Sequence, residues 1–169
     1  MDQSAFYGVV SAINFTLLGL WWVAVKDRSD LVGETASSRR TAYLVSLQFV
    51  IPATVALFAQ VAPQEKMVWR IAFAAGGIAG TAAVAMLAQE IRANTSARIS
   101  PVLFAVVGIP LYVLVLVVSF WPSVTTDIGT TLTPIEVEGL IFSAIVFLGV
   151  QEAWVVSMTP PRETSVELR

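Results

Sequence analysis

The chain has 169 residues, of which 56% are hydrophobic and 13% charged, with a formal net charge of −2. A soluble domain of this size carries about 25% charged residues, so the composition excludes an ordinary water-soluble globule, and the small net charge argues against a nucleic-acid partner. The sequence has no Cys and no His. Disulfides, thiol catalysis, iron–sulfur clusters and His-ligated haem or zinc are therefore excluded, and no cofactor or metal is expected.

Five apolar runs follow one another: Phe6–Val25, Ala42–Val61, Ile71–Ala88, Pro101–Trp121 and Ile135–Ser157. Each is near the length a helix needs to cross about 30 Å of hydrocarbon. Helices are expected because every backbone polar group must be satisfied within its own segment in lipid. The expected fold is all-α: one membrane domain over residues 1–169, a bundle of five transmembrane helices.

The first run is preceded by Asp2 rather than a basic stretch and is longer than a signal-peptide core, so it reads as a mature span. Gly8, Ser11 and Asn14 recur along it at three-residue spacing. This small, polar stripe should face another helix, because Asn in lipid needs a hydrogen-bond partner. Asn14 is either an interhelical clamp or part of a polar path.

Lys26, Arg28, Arg39 and Arg40 follow before the second run, and the segment Asp27–Arg40 reads as loop or short surface helix. In the second run Gln48 stands four residues before Pro52. Proline has no N–H to give the carbonyl of residue 48, so a kink with a free carbonyl is expected there. The side-chain amide and the free carbonyl make either a plain kink or an ion or water site.

Pro63 is expected to open a helix that runs into the third span. That span contains Gly76 and Gly80 in a GxxxG pattern extended by Ala72, with Ala75, Ala79 and Ala83 beside it. Small residues let helix backbones approach closely, so this helix is the expected centre of the bundle or an oligomer contact. Arg92 and Arg98 come next. Ser100-Pro101 opens the fourth run, and Pro110 frees the carbonyl of Val106 near its middle.

Pro122–Thr133 reads as an ordinary loop, ending in Thr133-Pro134-Ile135-Glu136. That is an N-cap Thr, Pro at the first helical position and Glu three residues after the cap, a capping box. In the fifth run Gln151 and Glu152 interrupt an otherwise apolar stretch. Glu138, Phe142, Ile145, Gly149 and Glu152 fall on one helical face, with the two carboxylates about 21 Å apart along the axis. Intramembrane carboxylates are costly and tend to be functional. Glu152 is an ion, proton or substrate contact, or it reaches the interface or pairs with Lys26, Arg92 or Arg98. Glu138 marks the other mouth of a cation path, or is a first-turn acid near water. Residues 159–169 read as an extended tail.

Eight basic residues (Lys26, Arg28, Arg39, Arg40, Arg92, Arg98, Arg162 and Arg169) share one side if five spans are crossed, against Lys66 and Arg70 on the other. The positive-inside rule then puts the N-terminus outside and the C-terminus in the cytoplasm. Trp69 and Trp121 fall at the outer boundary and Trp21, Trp22 and Trp154 near the inner one, where indoles are favoured.

No P-loop, dinucleotide-binding or hydrolase pattern occurs, and no enzyme is expected. The sequence points to an oligomeric ion channel or small-solute transporter of the cell membrane. Its expected path is Glu152, Gln151, Asn14, Gln48 and Glu138, with Gly76 and Gly80 as packing residues. The alternative is an accessory subunit of a larger membrane complex. The expected partners are the bilayer, further copies of the chain, or other membrane subunits.

Overall fold

A computed structural model describes residues 2–28, 36–61, 64–94 and 99–158. Among them every regular element is a helix: α1 Gln3–Lys26, α2 Ala36–Val61, α3 Lys66–Asn94, α4 Ile99–Phe120, the single turn α5 Val124–Asp127, and α6 Pro134–Met158. By length and composition α1, α2, α3 and α6 can each cross a membrane. In α4, which spans 22 residues, the apolar stretch so described is the shorter Phe104–Phe120. Pro63, residues 29–35 and 95–98, and the tail 159–169 lie outside the described residues. So does the expected helix start at Pro63; α3 begins at Lys66.

Side-chain contacts fix the registers. Ser4 donates to the Gln60 carbonyl and the Trp21 indole to the Ala42 carbonyl, so α1 and α2 are antiparallel. Gly76 faces Val55 and the Arg40–Glu90 ion pair closes at 2.8 Å, so α2 and α3 are antiparallel. Gly80 faces Tyr112, and Arg70 donates to the Ser119 carbonyl at 2.7 Å and the Phe120 carbonyl at 3.2 Å, antiparallel again. Those carbonyls end α4 without helical donors, and a guanidinium is a natural cap for them. The Tyr7 hydroxyl donates to the Ile135 carbonyl and Arg28 to the Ser157 carbonyl, so α6 runs parallel to α1. The end bearing Gln3, Lys66 and Pro134 is called upper below, and the end bearing Lys26 and Met158 lower.

The most buried helix is α2, with 61% of its apolar stretch covered, against 44% for α3 and 28% for α1. It packs on α1, α3 and α6. Its buried positions Ala42, Ser46, Ala53, Ala56 and Ala59 are small, and small side chains are what allow several helices to reach one backbone. The expectation that α3 is the centre is corrected on this point. The glycines of α3 do pack, but inside the chain: Gly76 takes Val55 of α2, while Gly77 and Gly80 take Leu116 and Tyr112 of α4. The second ridge divides, with Ala83 buried and Ala75 and Ala79 exposed.

Trp69 and Trp121 lie toward the upper end and Trp21, Trp22 and Trp154 toward the lower; Trp21 and Trp69 face the core, and Trp22, Trp121 and Trp154 are exposed. The Trp21 N–H finds its partner in the Ala42 carbonyl at 3.0 Å, which lets the ring be buried. Trp69 joins an upper aromatic cluster with Tyr7, Phe73 and Phe142, edge to face with Phe73 in each pair. At the start of α6 the Thr133 N–H and hydroxyl both donate to the Glu136 carboxylate, at 2.9 and 2.8 Å. That is half of the expected capping box, because the hydroxyl goes to the acid and not to the backbone.

Candidate functional site

The buried side of α6 carries Glu138, Phe142, Ile145, Gly149 and Glu152, the face expected from helical spacing. Glu138 is 0% exposed and Glu152 1%. Neither carboxylate reaches water, so the reading of Glu138 as a solvated first-turn acid and of Glu152 as an interface anchor does not fit the packing. Glu152 makes no ion pair with Lys26 or Arg92. Arg98 lies outside the described residues.

The two acids sit in different surroundings. Glu138 Oε1 lies 3.0 Å from the Ser119 hydroxyl of α4, while Oε2 has no partner. The same hydroxyl donates to the Val115 carbonyl at 2.7 Å. Tyr7 of α1 is an electrostatic neighbour of Glu138. Gly139 makes room for that neighbour: a Cβ there would stand 2.8 Å from the Phe6 ring and 3.3 Å from the Tyr7 hydroxyl. Beside this level a groove of about 270 Å³ opens between α1 and α6, lined by Phe6, Tyr7, Ile135, Glu136, Gly139 and Leu140 among others, and Glu138 does not line it.

At the lower level both oxygens of Glu152 are buried without a hydrogen-bond partner. Gln48 of α2 is 2% exposed, and its amide nitrogen is unpartnered too. The Gln48 side-chain oxygen accepts a long 3.4 Å hydrogen bond from the Tyr112 hydroxyl of α4. Tyr112 is in turn an electrostatic neighbour of Glu152. Gly149, one turn before Glu152 on the same face, brings α6 against α2: its Cβ would lie 3.3 Å from Gln48 Cβ and 3.6 Å from the Gln48 main-chain oxygen. That oxygen is the one Pro52, inside α2, leaves without its usual donor.

An orphaned buried polar atom costs about 1–3 kcal/mol, and more when charged. Three such atoms, two on Glu152 and one on Gln48, lie on adjoining turns where α6 packs against α2 and α4. Packing alone gives no return for that cost. The arrangement can bind: it offers a negative or protonatable carboxyl, an amide, a hydroxyl and a carbonyl in a dry setting where each interaction is strong.

Of the other expected path residues, Gln151 is half-buried and, one residue from Glu152, lies about 100° off the shared face. Asn14 is fully buried; its amide donates to the Val10 carbonyl of its own helix at 2.8 Å, and its oxygen has no partner. The expected interhelical clamp is therefore not made. The Tyr7–Ile135 and Arg28–Ser157 bonds set Asn14 at the level of Phe142, roughly 14 Å above Glu152. Gln48 and Glu152 are thus brought to adjoining turns, and Asn14 is kept apart from them. Tyr112 was not singled out in the sequence. The signal that finds it is its placement opposite Gly80, visible only once α3 and α4 are paired.

Among the described residues no three Asp, Glu, His or Cys side chains gather as a metal cluster. Comparison with known protein families, with curated proteins and with solved structures finds no match to this chain.

Proposed function

We propose that the protein is a multi-pass membrane transporter or channel for a small cation or proton. In this reading it crosses the cell membrane five times, with the upper end outside and the tail cytoplasmic, and it acts as a homo-oligomer. The observation that carries the reading is Glu152. A carboxyl with both oxygens buried and unpartnered, in the lower half of a membrane bundle, is expensive and characteristic of ion or proton pathways.

Polar groups recur at three levels along the bundle: Glu138 above, Asn14 near the middle, and Gln48 with Glu152 below. Between the two acids, Phe142 and Ile145 fill the shared face and are buried. The conformation described is closed at that point, which suits a gated or carrier-like cycle better than an open pore. The fifth crossing is assigned to α4, and the basic residues set the direction.

The test is flux in liposomes. Purified protein is reconstituted, and proton and alkali-cation movement are followed under an imposed gradient. Wild-type protein raises flux above empty vesicles and Glu152→Gln loses most of that increase. Equal flux in the two proteins would remove Glu152 from the mechanism.

A second reading, an accessory subunit of a larger complex, is favoured by one surface. Ala75, Ala79 and Ala82 of α3 are exposed beside Ile71 and Ile78, and small residues on a lipid-facing helix allow another helix to approach. Ala79→Leu would then release a co-purifying membrane protein. Gly80→Leu cannot serve for this, because Gly80 faces Tyr112 within the chain.

A further inference from the structure

The cluster of Glu152, Gln48 and Tyr112 has a definite charge and a definite set of oxygens. Among the described residues its only acid is Glu152, so they give it at most one negative charge. In a medium of low dielectric the occupant that balances this charge carries a single positive charge. A divalent ion would leave an uncompensated charge in the bilayer, at a cost of several kcal/mol.

The neutral groups around Glu152 supply oxygens. The Tyr112 hydroxyl comes from α4 and the Gln48 side-chain oxygen from α2, joined only by their long 3.4 Å bond. The Gln48 main-chain oxygen is freed by Pro52 and held at the α2–α6 contact by Gly149. Hard cations are bound by oxygens of this kind, carboxylate, carbonyl and hydroxyl. Carbonyl oxygens can replace an ion's hydration shell inside a membrane. A proton on Glu152 would engage a single acceptor, such as the freed carbonyl, whereas a cation draws on the carboxylate, the carbonyls and the hydroxyl together.

We propose that Glu152, Gln48 and Tyr112 form a binding site for one dehydrated monovalent alkali cation, with Glu152 as its counter-charge. The proposal names the ligand of the site on which the transport reading rests, and its test separates the two.

The full-length protein, purified in detergent without alkali salts, is titrated with radiolabelled sodium, and unlabelled lithium and potassium compete. Saturable binding near one ion per chain is expected. Glu152→Gln, which keeps the shape and removes the charge, abolishes it. Tyr112→Phe, which keeps the ring on Gly80, weakens binding by roughly tenfold for one lost oxygen ligand. Glu136→Gln, at the exposed start of α6, binds as wild type does. Size-exclusion profiles and helical circular dichroism establish that each variant is folded.

Absence of saturable binding of sodium, lithium or potassium by folded wild-type protein overturns the proposal, as does equal binding by Glu152→Gln. If binding is absent while proton flux in liposomes still depends on Glu152, the site carries protons only and the transport reading stands. If binding depends on Glu152 and no ion crosses, the site stands and the transport reading falls.

Discussion

Gly80→Ala isolates the packing that holds Tyr112 beside Gln48 and Glu152. A Cβ at Gly80 would fall within the Tyr112 ring, against three of its carbons. Tyr112 is fully buried, so it has no open side to swing into, and restoring van der Waals separation requires a shift on the order of 1 Å between α3 and α4. Overpacking of this kind costs about 1–3 kcal/mol, and weakening the long Tyr112–Gln48 bond adds about 0.5 kcal/mol. Alanine gains up to about 1 kcal/mol over glycine in a helix, less here because helices persist in the unfolded membrane state. The net expectation is a loss of about 1–2 kcal/mol, or a midpoint lower by roughly 2–8 °C for a chain of this size. The control is Gly19→Ala, where a new Cβ meets nothing within 4 Å, and the midpoint there stays level or rises. Thermal unfolding in detergent micelles, followed by helical circular dichroism, reads both variants. A Gly80→Ala protein as stable as wild type, beside a well-behaved Gly19→Ala, would refute the assigned α3–α4 register.

Two further outcomes follow from the same contacts. Ser119 has one hydroxyl proton and two acceptors in range, the Val115 carbonyl and Glu138 Oε1, so both contacts hold when Glu138 carries a proton and donates it. Glu138→Gln, which also donates, then costs under about 1 kcal/mol, while Glu138→Ala costs about 2–3 kcal/mol for the lost bond and the space left; equal losses would contradict the proton count. Topology is open to a clean labelling test because the chain has no native Cys: Thr130→Cys should react with an impermeant thiol reagent on intact cells and Arg39→Cys only after lysis, and the reverse pattern would invert the proposed orientation.

The helices were legible in the sequence because hydropathy over about 20 residues decides them without knowledge of any neighbour. The buried face of α6 was legible as well, since helical spacing alone aligns Glu138 with Glu152. Which helix lies at the centre was not. Both α2 and α3 are rich in small residues, and only the pairing of faces shows that α2 meets three partners while α3 leaves Ala75 and Ala79 outside. The depth of Glu138 was hidden for a related reason. A first-turn acid is ordinarily near water, but here Tyr7 crosses over it to the Ile135 carbonyl and Phe142 closes the face below. That Trp21 faces the core was not legible either, because the main-chain carbonyl of Ala42 that satisfies its indole lies on another helix.

The arrangement of α6 also bears on how ions could move. Each buried acid has a glycine near it on the same side: Gly139 next to Glu138 and Gly149 one turn before Glu152. Through these notches α1 approaches at the top, by Phe6 and Tyr7, and α2 at the bottom, by Gln48. Between them the contact is large and apolar, with the Phe73 and Phe142 rings 4.9 Å apart edge to face and Ile145 below. A species bound at Glu152 therefore cannot reach Glu138 without parting α6 from its neighbours along at least two turns. On the transport reading, the apolar contact between the two acids, with no polar group to receive an ion, places the barrier at Phe142 rather than at either carboxyl. Phe142→Ala then lowers that barrier and raises flux in liposomes while leaving binding at the Glu152 cluster intact. Glu152→Gln has the opposite signature, with binding and flux lost together. A Phe142→Ala protein that folds and binds as wild type yet transports no faster would place the gate elsewhere.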